Sequence, residues 1–537
     1  MRKGKKRTRP EKRTDVPATR KRAEPGTGKS WWNAMHSRLR ALASKSQQQH
    51  DDGLFGLREA VHEWAGRTVE FIDWLLGRSP REHKRAPQLW EMGSLKRTAS
   101  VAATIFLSYF VLRIVMNEIE PFGLSNATKA YSTLVSARVM APFYGSDAQD
   151  HIAVVLIDES TLHARDMGWP PRYTYYEETL RRILRQQPRA IYVDILLQDE
   201  RAYDGSLGEA RTALAEELAE ASLPVWFGVV SAGQASLFSG VPGVNVAVSR
   251  WQGVGTNYPL ALGPDQLVPW FDAKRSGSPR KPLANTSADS VALVLYKAAC
   301  RPQAAGCVEP ASRLTQEMAK VPMTVLWGSR LPVAAGIADT ALHCAQTTRE
   351  RETLASKIAA ALRSTWISLR SGTNPHLLDL HRLQCPYTLT LREQQLDDPD
   401  MAALLKDRVV LVGTRLAGMD DSVYSPVHQR IPGVYLHAMA LDNLMTWGRD
   451  RLHPNARLSR VVGALLAIVL PILLAITLRY SHGRRRFLLL VALGLVASIG
   501  INAWLQWHYR LPPLDWIGGL ALFGLVVLGI GRRKNES

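Results

Sequence analysis

Four apolar runs constrain this chain more than any other feature. They lie at residues 98–116, 461–478, 487–505 and 514–531. Each is close to the roughly 20 residues that a helix needs to cross the hydrocarbon core of a bilayer. A cleaved signal peptide does not fit the first run, because a long segment precedes it; a buried core helix stays open for any single run. The runs predict four transmembrane helices, one before and three after a long central region.

The distribution of charge predicts the orientation of these helices. The formal net charge is +19, but residues 1–50 hold 15 Lys and Arg against 3 Asp and Glu, whereas residues 118–456 hold 33 against 35. Arginines also crowd the link after the second run and the segment after the fourth. Loops rich in Lys and Arg stay in the cytoplasm. We therefore expect cytoplasmic termini in a bacterial inner (plasma) membrane, with residues 118–456 on the periplasmic or extracellular side.

The N-terminal head divides into two parts. Residues 1–50 are basic and lack apolar periodicity, which predicts a disordered cytoplasmic tail. Anionic membrane lipids are its expected partner, at about 1 kcal/mol per Lys or Arg near the surface. No groove-reading motif points to nucleic acid as a partner. Residues 51–97 include an amphipathic helical segment that lies on the inner leaflet, docks a partner or belongs to a short bundle.

The central region, 118–456, alternates between buried strands and helices. Strands are predicted at 151–159, 190–197, 224–230 and 408–413, with a further candidate at 323–327. Helices are predicted at 175–186, 206–221 and 433–447. This alternation is typical of an α/β fold with a doubly wound, mainly parallel sheet.

Acidic residues at the strand ends provide the candidate site. Asp158 and Asp194 end two strands that we expect to be neighbours, Asp420 follows a third strand, and His437 begins a helix. Ligands bind at the carboxyl ends of parallel strands, so these side chains predict a pocket for Mg²⁺ or a cationic ligand. The alternative is that such acids cap the next helix. Trp169, in the turn after the first strand, completes the candidate ligand-binding set.

No catalytic motif accompanies these residues. The sequence contains no nucleophile elbow, P-loop or zinc spacing. Gly413 and Gly418 are interpreted as loop glycines and not as a phosphate fingerprint. We assign no catalytic residue, no resident metal and no cofactor, and we expect the protein not to be an enzyme.

All four cysteines lie in the central region, at Cys300, Cys307, Cys344 and Cys385. This placement favours an oxidising compartment with one or two disulfides. The short separation of Cys300 and Cys307 favours pairing these two, which leaves Cys344 with Cys385. Other pairings and free buried thiols remain alternatives.

Several motifs in fixed order carry a family resemblance. They are VVLIDESTL (154–162) with Trp169-Pro170 behind it, AIYVDILL (190–197), CPYTLTL (385–391), LLKDRVVLVGT (404–414), DDSVYSP (420–426) and IPGVYLHAMALDNLM (431–445). With one apolar run before and three after, the chain resembles the second type of CHASE domain over about residues 100–531. CHASE domains are cyclase- and histidine-kinase-associated sensory extracellular domains of bacteria. Members usually continue into an output domain, whereas six residues follow the last run here.

The resemblance implies a membrane-embedded extracytoplasmic sensor. Its expected partners are an unknown small extracytoplasmic ligand, an unknown output protein reached through the N-terminal head or directly, and a second copy in a homo-oligomer. One alternative is a structural or assembly subunit of an envelope or defence complex. Another is a metal-dependent hydrolase that uses the three aspartates.

Overall fold

The computed structural model describes residues 124–230, 234–249, 257–262, 288–330, 353–370, 387–416, 421–453, 461–462 and 499–515. Within these ranges, no helix combines the length and the apolar character needed to cross a membrane. The predicted tail, the amphipathic segment 51–97 and the first span lie outside the described residues. Of the other three spans, only 461–462, 499–505 and 514–515 fall inside them.

The described elements are numbered in chain order. The strands are β1 (Ile152–Asp158), β2 (Ala190–Val193), β3 (Val225–Val229), β4 (Val244–Val248), β5 (Asn257–Tyr258), β6 (Ala261–Leu262), β7 (Ala288–Asp289), β8 (Met323–Thr324), β9 (Leu389–Arg392), β10 (Val409–Arg415), β11 (Ser422–Ser425) and β12 (Gln429–Pro432). The α-helices are α1 (Leu124–Met140), α2 (Glu159–Ala164), α3 (Tyr173–Leu184), α4 (Leu207–Ala221), α5 (Val291–Ala299), α6 (Gln316–Ala319), α7 (Leu354–Arg370), α8 (Pro399–Ala402) and α9 (Val434–Trp447).

Six of these strands form one parallel sheet in the order β4-β3-β2-β10-β1-β9. The central strands are continuous apolar runs because both of their faces are covered by helices. β10 lies between β1 and β2, with Leu411 opposite Val154 on one side and Tyr192 on the other. The predicted parallel α/β sheet is therefore confirmed.

Alternate residues of each strand face different helices. Val154 and Leu156 pack with α5 and α9 on one face of the sheet. Val155 and Ile157 pack with α3 and α4 on the other. The sheet is thus the middle layer of three, and its carboxyl edge opens between the two helical layers.

Three sequence predictions need correction. The strand predicted at 190–197 ends at Val193, where pairing with β10 and β3 stops. The strand predicted at 323–327 is the two-residue β8, which pairs antiparallel with β5 outside the main sheet. The strands that end at Asp158 and Asp194 are not neighbours, because β10 returns late in the chain and inserts between them; this separates them by two strand spacings, about 10 Å.

A disulfide joins Cys300, at the end of α5, to Cys307. Directly after it, the Val308 backbone N–H donates to the Met445 carbonyl of α9 at 2.8 Å. The disulfide loop therefore holds the carboxyl end of α9 against the domain. Cys344 and Cys385 lie outside the described residues.

A helical layer attaches the segment 499–515 to the domain. Val135 and Val139 of α1 pack with Ala361 of α7, and Ile499 packs against this cluster. The hydroxyls of Thr128 and Ser132 in α1 each donate to the Asp515 carboxylate at 3.0 Å.

Candidate functional site

Two carboxylates meet at the carboxyl edge of the sheet. Asp194 directly follows β2, where its backbone N–H donates to the Val412 carbonyl at 2.8 Å. Asp421 directly precedes β11, and its backbone carbonyl accepts from the Gly433 N–H at 3.1 Å. This hydrogen bond closes the hairpin of β11 and β12. It brings Asp421, before β11, beside Gly433, which directly precedes α9.

Gly433 shows how closely these groups approach each other. A Cβ atom at this position would lie 2.7 Å from Asp421 Oδ1 and 3.9 Å from Asp194 Oδ2. Both carboxylates therefore lie against the first turn of α9. The N-terminus of a helix carries partial positive charge, which favours their ionised forms.

His437, in the first turn of α9, faces the same point. Its Nδ1 lies 2.7 Å from the Tyr258 hydroxyl, which in turn accepts from the Ala292 backbone N–H at 3.2 Å. One hydrogen lies between the Tyr258 hydroxyl and Nδ1, and when the hydroxyl donates it, the ring hydrogen of the neutral imidazole lies on Nε2. That nitrogen is 3.9 Å from Asp194 Oδ2, which is longer than a hydrogen bond.

The environment shifts the pKa values of all three groups. Burial raises the pKa of Asp194 to about 6, although the hydrogen bond from the Tyr192 hydroxyl at 2.8 Å opposes this. Burial and the charge of Asp194 raise the pKa of Asp421 to about 6, against the effects of His437 and Thr414. Burial lowers the pKa of His437 to about 4. At neutral pH the imidazole is neutral, and the two acids repel each other.

The structure places Asp158 in a different role. Its carboxylate caps α2, accepting from the Thr161 backbone N–H at 2.8 Å and the Ser160 hydroxyl at 2.7 Å. Burial acts to raise its pKa, but these hydrogen bonds and Arg392 at 3.3 Å lower it overall. The capping alternative is correct for Asp158, and the expectation that it joins Asp194 in one pocket is wrong.

The remaining predicted residues divide as follows. His437 is part of the cluster. Trp169 packs against the hydrophobic cluster on the other face of the sheet, where α3 lies, so it does not meet His437. Asp420 lies outside the described residues, and its neighbour Asp421 occupies the position that we expected for it.

Gly413 is not a loop glycine. It lies inside β10, and a Cβ there would come within 2.7 Å of the Val434 side chain at the start of α9. The missing side chain is what allows α9 to begin directly above the strand. Gly418 lies outside the described residues.

Sequence reasoning missed Asp421, Tyr192 and Tyr258. The pair Asp420-Asp421 was visible, but only the hairpin pairing selects the second residue. Tyr192 was interpreted as an apolar position of a buried strand, and Tyr258 lies in a part of the chain where no element was predicted. A further buried acid, Asp442 of α9, accepts hydrogen bonds from Tyr144 and from Ser146, and burial raises its pKa to about 7.

Chemically, the cluster is a site for positive charge. Two carboxylates face a neutral imidazole and two tyrosine hydroxyls, and no lysine or arginine of the described chain pairs with Asp194 or Asp421. The described residues contain no group of three or more His, Cys, Asp or Glu side chains arranged to hold a metal ion. A proton or a cationic group that contacts both carboxylates neutralises the charge of this pair.

The other end of α9 contacts the segment 499–515. The Arg510 guanidinium lies over the Trp447 ring, 4.8 Å from its centroid. The His453 backbone N–H donates to the Arg510 carbonyl at 3.2 Å. One helix therefore joins the acidic cluster to Arg510, which lies between the last two apolar runs.

Comparison with known proteins agrees with this architecture. The family model described as "CHASE2 domain" matches residues 103–477. Searches of curated proteins and of solved structures gave no match. The matched region includes the whole parallel sheet, Asp194, Asp421 and α9, and it spans well over half of the sequence. The chain therefore belongs to the CHASE2 family of extracellular sensory domains.

Proposed function

We propose that this protein is a membrane-embedded extracytoplasmic sensor that binds a small cationic ligand and signals to a separate cytoplasmic or membrane partner. The observation that carries the proposal is the Asp194–Asp421 pair, which is buried beside a neutral His437. Buried acids whose pKa values are raised without a paired cation are typical of functional sites. The proposed role of the cluster is binding and not catalysis.

The chemistry of the pair supports a cationic ligand. At neutral pH both carboxyls are above their pKa of about 6, so each carries most of a negative charge. A bound ammonium or similar cation removes their mutual repulsion and offsets the cost of burying them. Asp421 is half-buried whereas Asp194 is more enclosed, so the ligand enters from the side of the β11–β12 hairpin.

Helix α9 supports a route for the signal. It places His437 at the cluster and Trp447 against Arg510, about 15 Å apart along the axis. A shift of its first turn on ligand binding changes the contact with residues 499–515. From there the signal reaches the membrane helices and the partner.

The proposed topology has independent support. The disulfide between Cys300 and Cys307 fits an oxidising compartment, and residues 499–515 pack on the same domain as that disulfide. We further propose that the basic residues 1–50 bind anionic lipids inside the cell and that the protein acts as a homo-oligomer.

A thermal-shift experiment tests the ligand class. Purified full-length protein in detergent at pH 7.5 is melted with small organic amines, with Mg²⁺ and with Ca²⁺. A hundredfold excess of a true ligand over its dissociation constant stabilises the protein by about 3 kcal/mol. Asp194→Asn and Asp421→Asn should abolish this response.

Asp158→Asn is the matched control, because it removes a carboxylate from the same sheet edge while Asn still caps a helix. It should leave the response intact. A wild-type protein that responds to no cation, or a response that survives both cluster variants, would contradict the binding role and favour an assembly subunit.

A reporter experiment tests the membrane placement. Alkaline phosphatase fused at Gly205 or after Tyr509 should be active, and phosphatase fused after His482 or at Ser537 should be inactive. An inactive fusion at Gly205 would contradict the extracytoplasmic placement of the domain.

A further inference from the structure

Helix α7 exposes a stripe of aliphatic side chains. Leu354 is 68% exposed, Ile358 45% and Leu362 61%. Their spacing of four residues places them within an arc of about 80° on the helix surface. A contiguous exposed apolar surface marks a contact with another apolar body.

The neighbouring helical residues 499–509 have an inverted amphipathic pattern. Ile501, Trp504 and Trp507 are exposed, whereas the polar Asn502 and Gln506 are almost completely buried against the domain. A helix in water has the opposite arrangement. Exposed Trp and Tyr beside an apolar run are typical of the interface between lipid and water.

The two surfaces belong to one layer of the molecule. Ala361 of α7 and Ile499 pack in the same cluster on α1. Ile499 also lies in the apolar run 487–505, which is long enough to span a bilayer. The apolar stripe on α7 and the apolar run 487–505 are therefore neighbours, and the same surroundings are expected to cover both.

We propose that α7 is an interfacial membrane helix, with the stripe of Leu354, Ile358 and Leu362 inserted into the acyl region of the outer leaflet. The inference rests on the membrane placement in the proposed function and adds a second point of attachment. Such a helix holds the sensory domain at a fixed tilt on the bilayer. Other candidate occupants of the stripe are a second copy of the chain and another segment of the same chain.

Site-specific photo-crosslinking in native membranes tests this inference. A benzophenone amino acid replaces Leu354, Ile358 or Leu362, one at a time, in the full-length chain. After irradiation, mass spectrometry of the α7 peptide measures adducts with phospholipid. We expect lipid adducts at all three positions, at several times the yield of the control positions.

Ser356 and Ala360 are the controls, because both are exposed and lie about 160° from the middle of the stripe. Crosslinked dimers would assign the stripe to a second copy, and crosslinks within the chain would assign it to another segment. Either result, or equal lipid yields at stripe and controls, overturns the proposal.

The same probe at Trp504 separates this inference from the function on which it rests. Lipid adducts at Trp504 without adducts at the stripe leave the membrane placement intact and reject only α7. The absence of lipid adducts at Trp504 rejects the membrane placement itself. Each variant should keep the Cys300–Cys307 disulfide, which reports that the domain is folded.

Discussion

Two of the buried acidic centres in the described part of this domain are balanced in opposite ways. Glu393, completely buried after β9, is paired with Arg165 at 3.1 Å and Arg182 at 2.6 Å. Asp194 and Asp421 share a centre that no basic side chain of the described chain neutralises. An acid that serves the fold has its counter-charge built in, whereas an acid without one costs stability and is a candidate for function.

The largest expected effect comes from breaking the balanced centre. Arg182→Met leaves the Glu393 carboxylate buried with one cation fewer, which should lower the free energy of unfolding by about 3 kcal/mol. Denaturant melts of the purified protein measure this loss. Arg185→Met is the control, because the Arg185 side chain is 65% exposed and lies 3.8 Å from Glu217; its cost should be below about 1 kcal/mol. Equal losses of stability in Arg182→Met and Arg185→Met would show that the ion pair with Arg182 does not stabilise the buried Glu393 carboxylate.

The unbalanced centre should respond in the opposite direction. Asp194→Asn removes a carboxyl whose pKa is raised from 3.8 to about 6. The shift is worth about 3 kcal/mol, and the weaker hydrogen bond from the Tyr192 hydroxyl to Asn offsets part of it, so at pH 7.5 the variant should be more stable than the wild type by about 2 kcal/mol. At pH 4 the gain should vanish, because Asp194 is already protonated. A loss of stability at pH 7.5 would mean that Asp194 serves as an internal hydrogen-bond acceptor.

The pH dependence of this centre has two opposing parts. A raised carboxyl pKa gives stability that is present below pH 3.8 and is lost as the pH rises through about 6. The lowered pKa of His437 gives stability that is present above pH 6.5 and is lost as the pH falls through about 4. Asp194→Asn removes one carboxyl and weakens the repulsion on the other, so it should flatten the profile between pH 4 and 6.

A smaller effect distinguishes the capping acid from the cluster. Asp158→Ala should cost about 1 kcal/mol at pH 7.5, and Asp158→Asn less than that, because Asn keeps the cap and loses only the charge that faces Arg392. Since the pKa of Asp158 is lowered, its contribution is present above the ordinary Asp pKa and is lost on acidification. The sign is opposite to that of Asp194. Melts of both variants at pH 7.5 and 3.5 check it; a stabilising Asp158→Ala would return this residue to the ligand site.

The smallest effect probes the geometry of the pair. Gly433 has φ −58°, which Ala adopts without strain, so Gly433→Ala should mainly push the Asp421 carboxylate away from Asp194. We expect a stability change below about 1 kcal/mol with a loss of the cation response. Gly208→Ala, at an open helical position, is the control and should gain about 0.5–1 kcal/mol. An unchanged cation response would show that Asp421 is not a ligand.

The strands that were predictable share one property, which is continuous burial. β1, β2, β3 and β10 are apolar runs whose periodicity does not depend on partners. β4 was missed because it lies at the sheet edge, where Val244, Asn245 and Val246 are partly exposed and the apolar signal is broken. The order of the strands could not be predicted from the sequence. The pairing of β10 with β2 joins residues more than 200 positions apart and produces no pattern in the sequence near either strand.

The location of the site, at the carboxyl edge of the sheet, was predictable from the sequence, but the residues that form it were not. That acids cluster at the carboxyl ends followed from a parallel sheet. Which acids meet depends on β10 separating Asp158 from Asp194, and on the hairpin that selects Asp421. One local signal was present: Asp158 is followed by Glu159 and then by Ser160 and Thr161, which is the pattern of an acid that caps the first turn of a helix.

The place of β10 at the centre of the sheet also sets an order of assembly. β1 and β2 are synthesised first, but neither has its central neighbour until roughly 200 further residues have been made. At about 5–20 residues per second, that interval lasts about 10–40 seconds. During it these two buried, apolar strands each have an unpaired edge, a state prone to wrong pairing. Because the central pairing joins such distant parts of the chain, we expect this domain to fold slowly and its nascent chain to need protection until the C-terminal third arrives.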